Sequence, residues 1–206
     1  MTIMGFDHYT LSTSDAKYND TTYNNNTKKA GITFMATTIP KNSREILSSD
    51  GSGKYNYGES DIKTYLEGTL INKFPFASTL MREVVIGYKG SNYPASNTDR
   101  QSDYKSFSSN HKLFLPGYIE LGGTGASISG QTKFAYITAN NIPNWKYSTG
   151  TSPAYDICLR DVDWGSTDYP WRTYAYNNDS STDIGPYYFG SKTAGVNGDY
   201  TFVFNL

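Results

Sequence analysis

With 18 basic and 19 acidic side chains in 206 residues and no run of like charge, the chain lacks the basic stripe that phosphate backbones demand, so nucleic acid is excluded as a partner. No stretch approaches 18 apolar residues, so no membrane insertion is expected, and the start, Met1 to Gly5, carries neither the basic segment nor the apolar core of a signal peptide. The single Cys158 rules out an intramolecular disulfide and a Cys-rich metal site. It reads as a buried structural thiol, and aromatic residues at 16% of the chain, 19 Tyr among them, are expected to supply much of the core.

Residues 1–30 are polar and rich in Asn, Thr and Tyr, with no helical period, and read as an N-terminal arm, mobile or ordered against a partner. A first strand is expected over residues 32–39, closed by Pro40, with turn signals at Asp50-Gly51 and Gly53. Ser60 has the chemistry of a helix N-cap, and Asp61 suits the positive end of the dipole. Ile62, Leu66, Leu70 and Phe74 then recur every four residues until Pro75. A short second helix is expected over residues 77–83, with Leu80, Met81 and Val84 at helical spacing.

Residues 84–88 read as a strand, followed by a long polar loop from 89 to 110 and a strand over 112–116 that Pro116 ends. Gly122-Gly123-Thr124-Gly125 lacks the downstream Lys and the strand–helix context of a phosphate cradle and reads as a flexible turn. The remaining pattern is short strands over 134–137, 155–160, 172–176 and 200–204. Turns are expected at Asn177-Asn178-Asp179 and at Asn197-Gly198-Asp199, the latter a hairpin signal.

Four blocks, in order, carry a resemblance. Ser60-Asp61-Ile62-Lys63-Thr64-Tyr65-Leu66 resembles the S-x-I-x-x-(W/Y)-L helix of a domain of unknown function common in phage tail proteins and bacterial surface proteins. Lys112-Leu113-Phe114-Leu115-Pro116-Gly117-Tyr118-Ile119-Glu120 is similar to its K-(L/V)-F-L-L-S-x-x-E strand. Tyr155-Asp156-Ile157-Cys158-Leu159-Arg160-Asp161 stands where that family has W-W-L-R-S, and the segment from Tyr200 to Leu206 stands at its terminal G-V-R-P-A-F-x-L. The double Trp and the Arg-Pro pair are absent here, and Asp161 replaces the Ser, so no site residue is carried over. The resemblance implies a C-type-lectin-like α+β domain over residues 31–206, with one or two helices packed on short antiparallel strands, displayed on a virion or a cell surface. It is also distantly similar to the formylglycine-generating-enzyme fold, whose chemistry uses two cysteines; with one Cys that activity is not expected.

The candidate ligand surface is the segment 144–188, which holds all three tryptophans. Trp145, Tyr147, Asp163, Trp164, Tyr169, Trp171 and Arg172 combine aromatic faces, on which sugar rings stack, with groups that bond hydroxyls. The same mixture suits protein recognition, where Trp, Tyr and Arg are the usual anchors, and it also suits a plain aromatic core. Trp164 and Trp171, flanked by Gly165 and Pro170, read as loop-borne. Asp161-Val162-Asp163 lacks the ligand spacing of a calcium loop, so its carboxylates read as solvated or salt-bridged. Glu59, Glu67, Glu83 and Glu120 form no acid–base motif, and His8 and His111 offer no triad and read as exposed and inert.

The sequence therefore predicts a non-enzymatic phage virion protein, on the tail or head exterior, that presents a receptor- or glycan-recognition surface. It needs no cofactor and no metal. Its partners are other virion proteins, further copies of itself in a homo-oligomer such as a trimer, and a host surface glycan or protein. A purely structural subunit, such as a capsid decoration or tail adaptor, is the alternative from another class, and a glycan hydrolase is a third.

Overall fold

The computed structural model describes residues 1–39, 44–45, 56–92, 104–123, 127–138, 146–147, 157–162, 171–174 and 197–206. Along the chain these form β1 (Thr2–Phe6), β2 (Thr10–Leu11), β3 (Ile32–Met35), β4 (Thr38–Ile39), β5 (Arg44–Glu45) and the short helix α1 (Asp61–Tyr65). There follow β6 (Val84–Gly90), β7 (Lys105–His111), β8 (Leu113–Phe114), β9 (Lys146–Tyr147), β10 (Ile157–Val162), β11 (Trp171–Tyr174), β12 (Asn197–Tyr200) and β13 (Val203–Asn205). Among the described residues the architecture is mixed α+β, mostly strands, with one α-helix and mainly antiparallel pairing.

The strands assemble in the orders β1-β3-β13-β8, β11-β10-β12-β5 and β2-β6-β7, with a separate β4-β9 pair. Parallel pairing occurs between β10 and β12 and between β4 and β9. Chain ends meet in the first sheet: β3 is sandwiched between β1 and the C-terminal β13, with Phe34 opposite Ile3 on one side and Phe204 on the other. Phe34 stacks on Phe204 at 5.3 Å, and Phe74 and Phe76 close over Phe204. Beneath, Met4, Met35, Phe114, Phe134 and Val203 are fully buried, so the core is aromatic and aliphatic in combination.

This corrects the expectation of an arm over residues 1–30. Thr2–Phe6 is a sheet strand, and Met4, Tyr9 and Leu11 are core residues. A bulge between Ile3 and Gly5 turns both Met4 and Gly5 inward while Ile3 and Phe6 stay outside, which erases the alternation by which a strand is recognised.

Ser60 caps α1 as expected, its Oγ accepting from the Lys63 amide. An α-helix turns about 100° per residue, so a strict four-residue apolar repeat drifts about 40° at each step. The chain answers this with a π turn over Leu66–Leu70, closed by the Ile71 N–H on the Leu66 carbonyl, and then a single 3-10 turn over Ile71–Lys73. Ile62 and Leu66 are buried; Leu70 and Phe74 are half-buried.

Three further expectations differ. Residues 75–80 form turns rather than a helix, and the Arg82 side chain holds the Leu80 and Thr79 carbonyls while the Glu83 amide is taken by Asp15, drawing the chain out into β6. Residues 134–137 also turn, with the Tyr136 amide bonded to the Met4 carbonyl at 3.0 Å. Asn197-Gly198 lies in strand β12, between β10 and β5, because tertiary pairing overrides the local turn preference.

Candidate functional site

Ile157, Cys158, Leu159, Arg160 and Asp161 are buried without interruption, the pattern of a strand covered on both faces. Cys158 is buried as its sequence context predicts. Two of these residues carry charge, and each is satisfied inside. Arg160, fully buried, donates from Nε to the Gly87 carbonyl at 2.8 Å and from Nη1 to the Leu115 carbonyl at 2.8 Å. It grips Glu120, also fully buried, with both ends of its fork: Nη1 to Oε2 at 2.7 Å and Nη2 to Oε1. The guanidinium lies 5.7 Å over the Phe114 ring. Such a bidentate pair is the strongest form of ion pair, and the further bonds of Arg160 to the Gly87 and Leu115 carbonyls help it survive burial.

Asp161 is held differently. Its carboxylate accepts from the Lys89 amide at 2.8 Å, from the Tyr118 amide at 2.6 Å and from Gln131 Nε2 at 2.9 Å. Burial pushes its carboxyl above the usual range, against the pull of Arg160 and these donors. It is therefore buried and held by hydrogen bonds, which corrects the expectation of a solvated or salt-bridged carboxylate: β6 and the segments carrying Tyr118 and Gln131 enclose it.

The loops that deliver these partners depend on two glycines. A Cβ on Gly87 would meet the Ser129 carbonyl oxygen at 1.8 Å, and one on Gly117 would meet the Gln131 amide at 2.5 Å. Their absence of side chain lets residues 129–130 lie against β6 and Gln131 against Gly117, where Glu120 and Gln131 reach Arg160 and Asp161 of β10.

A second polar cluster joins the helical segment to the β6–β7 ribbon. His111, 2% exposed, ends β7; its Nδ1 bonds Glu67 Oε1, and its Nε2 lies 2.5 Å from Ser109 Oγ. Lys63 Nζ bonds the other Glu67 oxygen at 3.0 Å. The Tyr57 ring sits 5.4 Å from the imidazole, and its hydroxyl accepts from the Leu115 amide at 3.2 Å. Burial disfavours the Glu67 carboxylate, yet the hydrogen bonds and charges of His111 and Lys63 outweigh it and hold Glu67 below the usual range.

Here the reading of His111 as exposed in a polar loop is corrected. Residues 105–111 are a strand that pairs with β6 along its whole length, from Val84↔His111 to Gly90↔Lys105. Phe107, Ser109 and His111 face inward at alternate positions, and the Ser and Asn between them mask the period. His8 is partly buried, with its ring 4.5 Å from that of Tyr9 and 4.6 Å from that of Phe134.

Of the seven proposed ligand residues, Trp145, Asp163, Trp164 and Tyr169 lie outside the described residues. Trp171 and Arg172 begin β11, with Trp171 opposite Val162, so residues 163–170 connect two antiparallel partners, β10 and β11. Tyr147 falls on β9, which pairs with β4 and not with that sheet. Among the described residues no group of His, Cys, Asp and Glu converges to hold a metal, and no helix is long and apolar enough to cross a membrane. No protein-family model matches the chain, and no curated protein or solved structure matches it significantly.

Proposed function

We propose that the chain is a C-type-lectin-like display domain of a phage virion, on the tail or head exterior, whose β10–β11 hairpin presents a recognition surface for a host glycan or protein. That surface works by contact, without a chemical step. The observation that supports this reading most is the Arg160–Glu120 pair. Glu120 closes the K-L-F-L-P-G-Y-I-E block and Arg160 lies in the I-C-L-R-D block, so two of the four blocks that carry the resemblance meet in one buried bidentate bridge. The Ser60 block joins them through the segment it caps, since the Ser60 hydroxyl donates to the Tyr57 carbonyl and Tyr57 in turn accepts from Leu115. The fourth block supplies β13, paired with β8 of the second. A braced β10 is the kind of rigid scaffold on which contact loops are carried.

The test is adsorption. Trp164→Ala and Trp171→Ala, incorporated into particles that contain the chain in normal amount, are expected to lower attachment to host cells at least tenfold, with multivalency softening the loss per site. Unchanged attachment by both variants would remove the recognition reading.

The alternative, a purely structural virion subunit, is favoured by a different feature. Edge strand β1 exposes Ile3 at 44% and Phe6 at 68%, beside Phe34 on the same outer face. An apolar sheet edge of this kind is a surface against which a further subunit can pack. Light scattering on Phe6→Asp separates the two readings, since assembly that depends on Phe6 points to the structural role.

A further inference from the structure

We infer that Ser109, His111 and Glu67 form a nucleophilic triad that accepts the acyl group of small carboxylic esters, a site distinct from the recognition surface and independent of it. The argument begins with connectivity. A carboxylate can only accept, so the Glu67 Oε1 contact places the imidazole proton on Nδ1. In the neutral ring this leaves Nε2 as an acceptor, aimed at the Ser109 hydroxyl 2.5 Å away. Hydroxyl to Nε2, then Nδ1–H to carboxylate, is the order by which a serine is activated and its base oriented; a triad is recognised by this geometry and not by sequence position.

Exposure fits the roles. His111 is sealed, Glu67 is held by Lys63 as well, and Ser109 is partly open. Position 109 shares its strand face with Phe107 and His111, and the Tyr88 ring stacks on Phe107 at 5.7 Å. Tyr88 also interacts through its hydroxyl with Ser109 and with the Gly58 amide. Gly58 permits this approach, because a Cβ there would lie 2.6 Å from that hydroxyl. The phenol thus borders the Ser109 hydroxyl at the margin of the triad. With Phe107 and Tyr88 beside Ser109, the acyl group assigned to this site is a small one.

The step balances without a further reactant. The Ser109 Oγ–C bond forms on the ester carbonyl as the hydroxyl proton passes to Nε2. The C–O bond to the alcohol then breaks, and the leaving oxygen takes that proton. Water repeats the sequence on acyl-Ser109, releasing the carboxylic acid and restoring the hydroxyl. Ser109 and His111 are the catalytic residues; Glu67 is a positioning residue.

The experiment is covalent labelling of the full-length folded protein with a fluorophosphonate, followed by peptide mass spectrometry. The expected result is a single adduct on Ser109, lost in Ser109→Ala and slowed roughly 100-fold or more in His111→Gln, the scale of a lost general base. Circular dichroism checks that each variant is folded. Glu67→Gln is expected to shift the pH profile of labelling, which a role in packing alone would not do. No adduct on Ser109 of the wild-type chain, or the same labelling in Ser109→Ala, overturns the assignment whatever the variants' stability.

Discussion

Among the described residues, the buried polar clusters around Arg160 and around His111 are built from similar parts, and they differ in how they end. Around Arg160, the fork is spent on Glu120 and on two carbonyls, and the cluster closes on itself with both charged partners fully buried. Around His111, the chain of bonds runs from Lys63 through Glu67 to the imidazole and on to the partly exposed Ser109 hydroxyl, which Tyr88 also meets. A sealed network fixes geometry, because each member is costly to leave unpaired. An open one leaves an atom that something from outside can reach. The same chemistry is a brace in one place and a candidate reactive group in the other, and exposure decides which.

The largest effect expected from breaking this contrast is at the sealed end. Glu120→Gln removes the charge that answers Arg160 while keeping the shape, and should cost about 3–5 kcal/mol in urea denaturation. A loss below about 1 kcal/mol would mean that the pair is not buried as described. Close behind is Met4→Ala, in the segment whose sequence suggests an arm: full burial of Met4 predicts about 2–5 kcal/mol, whereas an arm would give almost none.

The open cluster should show itself through pH. A carboxylate held below its ordinary value of about 4.5 contributes stability that is complete above that value and is lost as pH falls through the folded-state value. Asp161, pushed up by burial, works in the opposite sense over its own range, so only a comparison isolates Glu67. Urea midpoints measured from pH 6 to pH 3 should fall more steeply for the wild type than for Glu67→Gln. Parallel curves would show that the Glu67–His111 bond contributes nothing to the fold.

Local signals made part of this legible beforehand. The cap chemistry of Ser60, the apolar runs that became β3, β6, β8 and β10, and the burial of Cys158 all follow from short-range pattern. What escaped depended on tertiary partners. β7 was hidden by Ser and Asn on its outer face, β1 by its bulge, and the ion pair by the separation of Glu120 from Arg160 along the chain. The four scattered glutamates Glu59, Glu67, Glu83 and Glu120 look alike as letters. Only packing shows that Glu67 meets a histidine and Glu120 an arginine.

The central claim is that Arg160 and Glu120 act as one brace beneath the β10–β11 hairpin. A double-mutant cycle with Glu120→Gln, Arg160→Met and the pair of substitutions together, read by equilibrium urea denaturation, tests it most directly. Each single change should cost several kcal/mol, and the double variant should be less destabilised than their sum by roughly 2 kcal/mol or more, with the Gly87 and Leu115 carbonyls left to account for what remains. Simple additivity of the two single losses would contradict the claim.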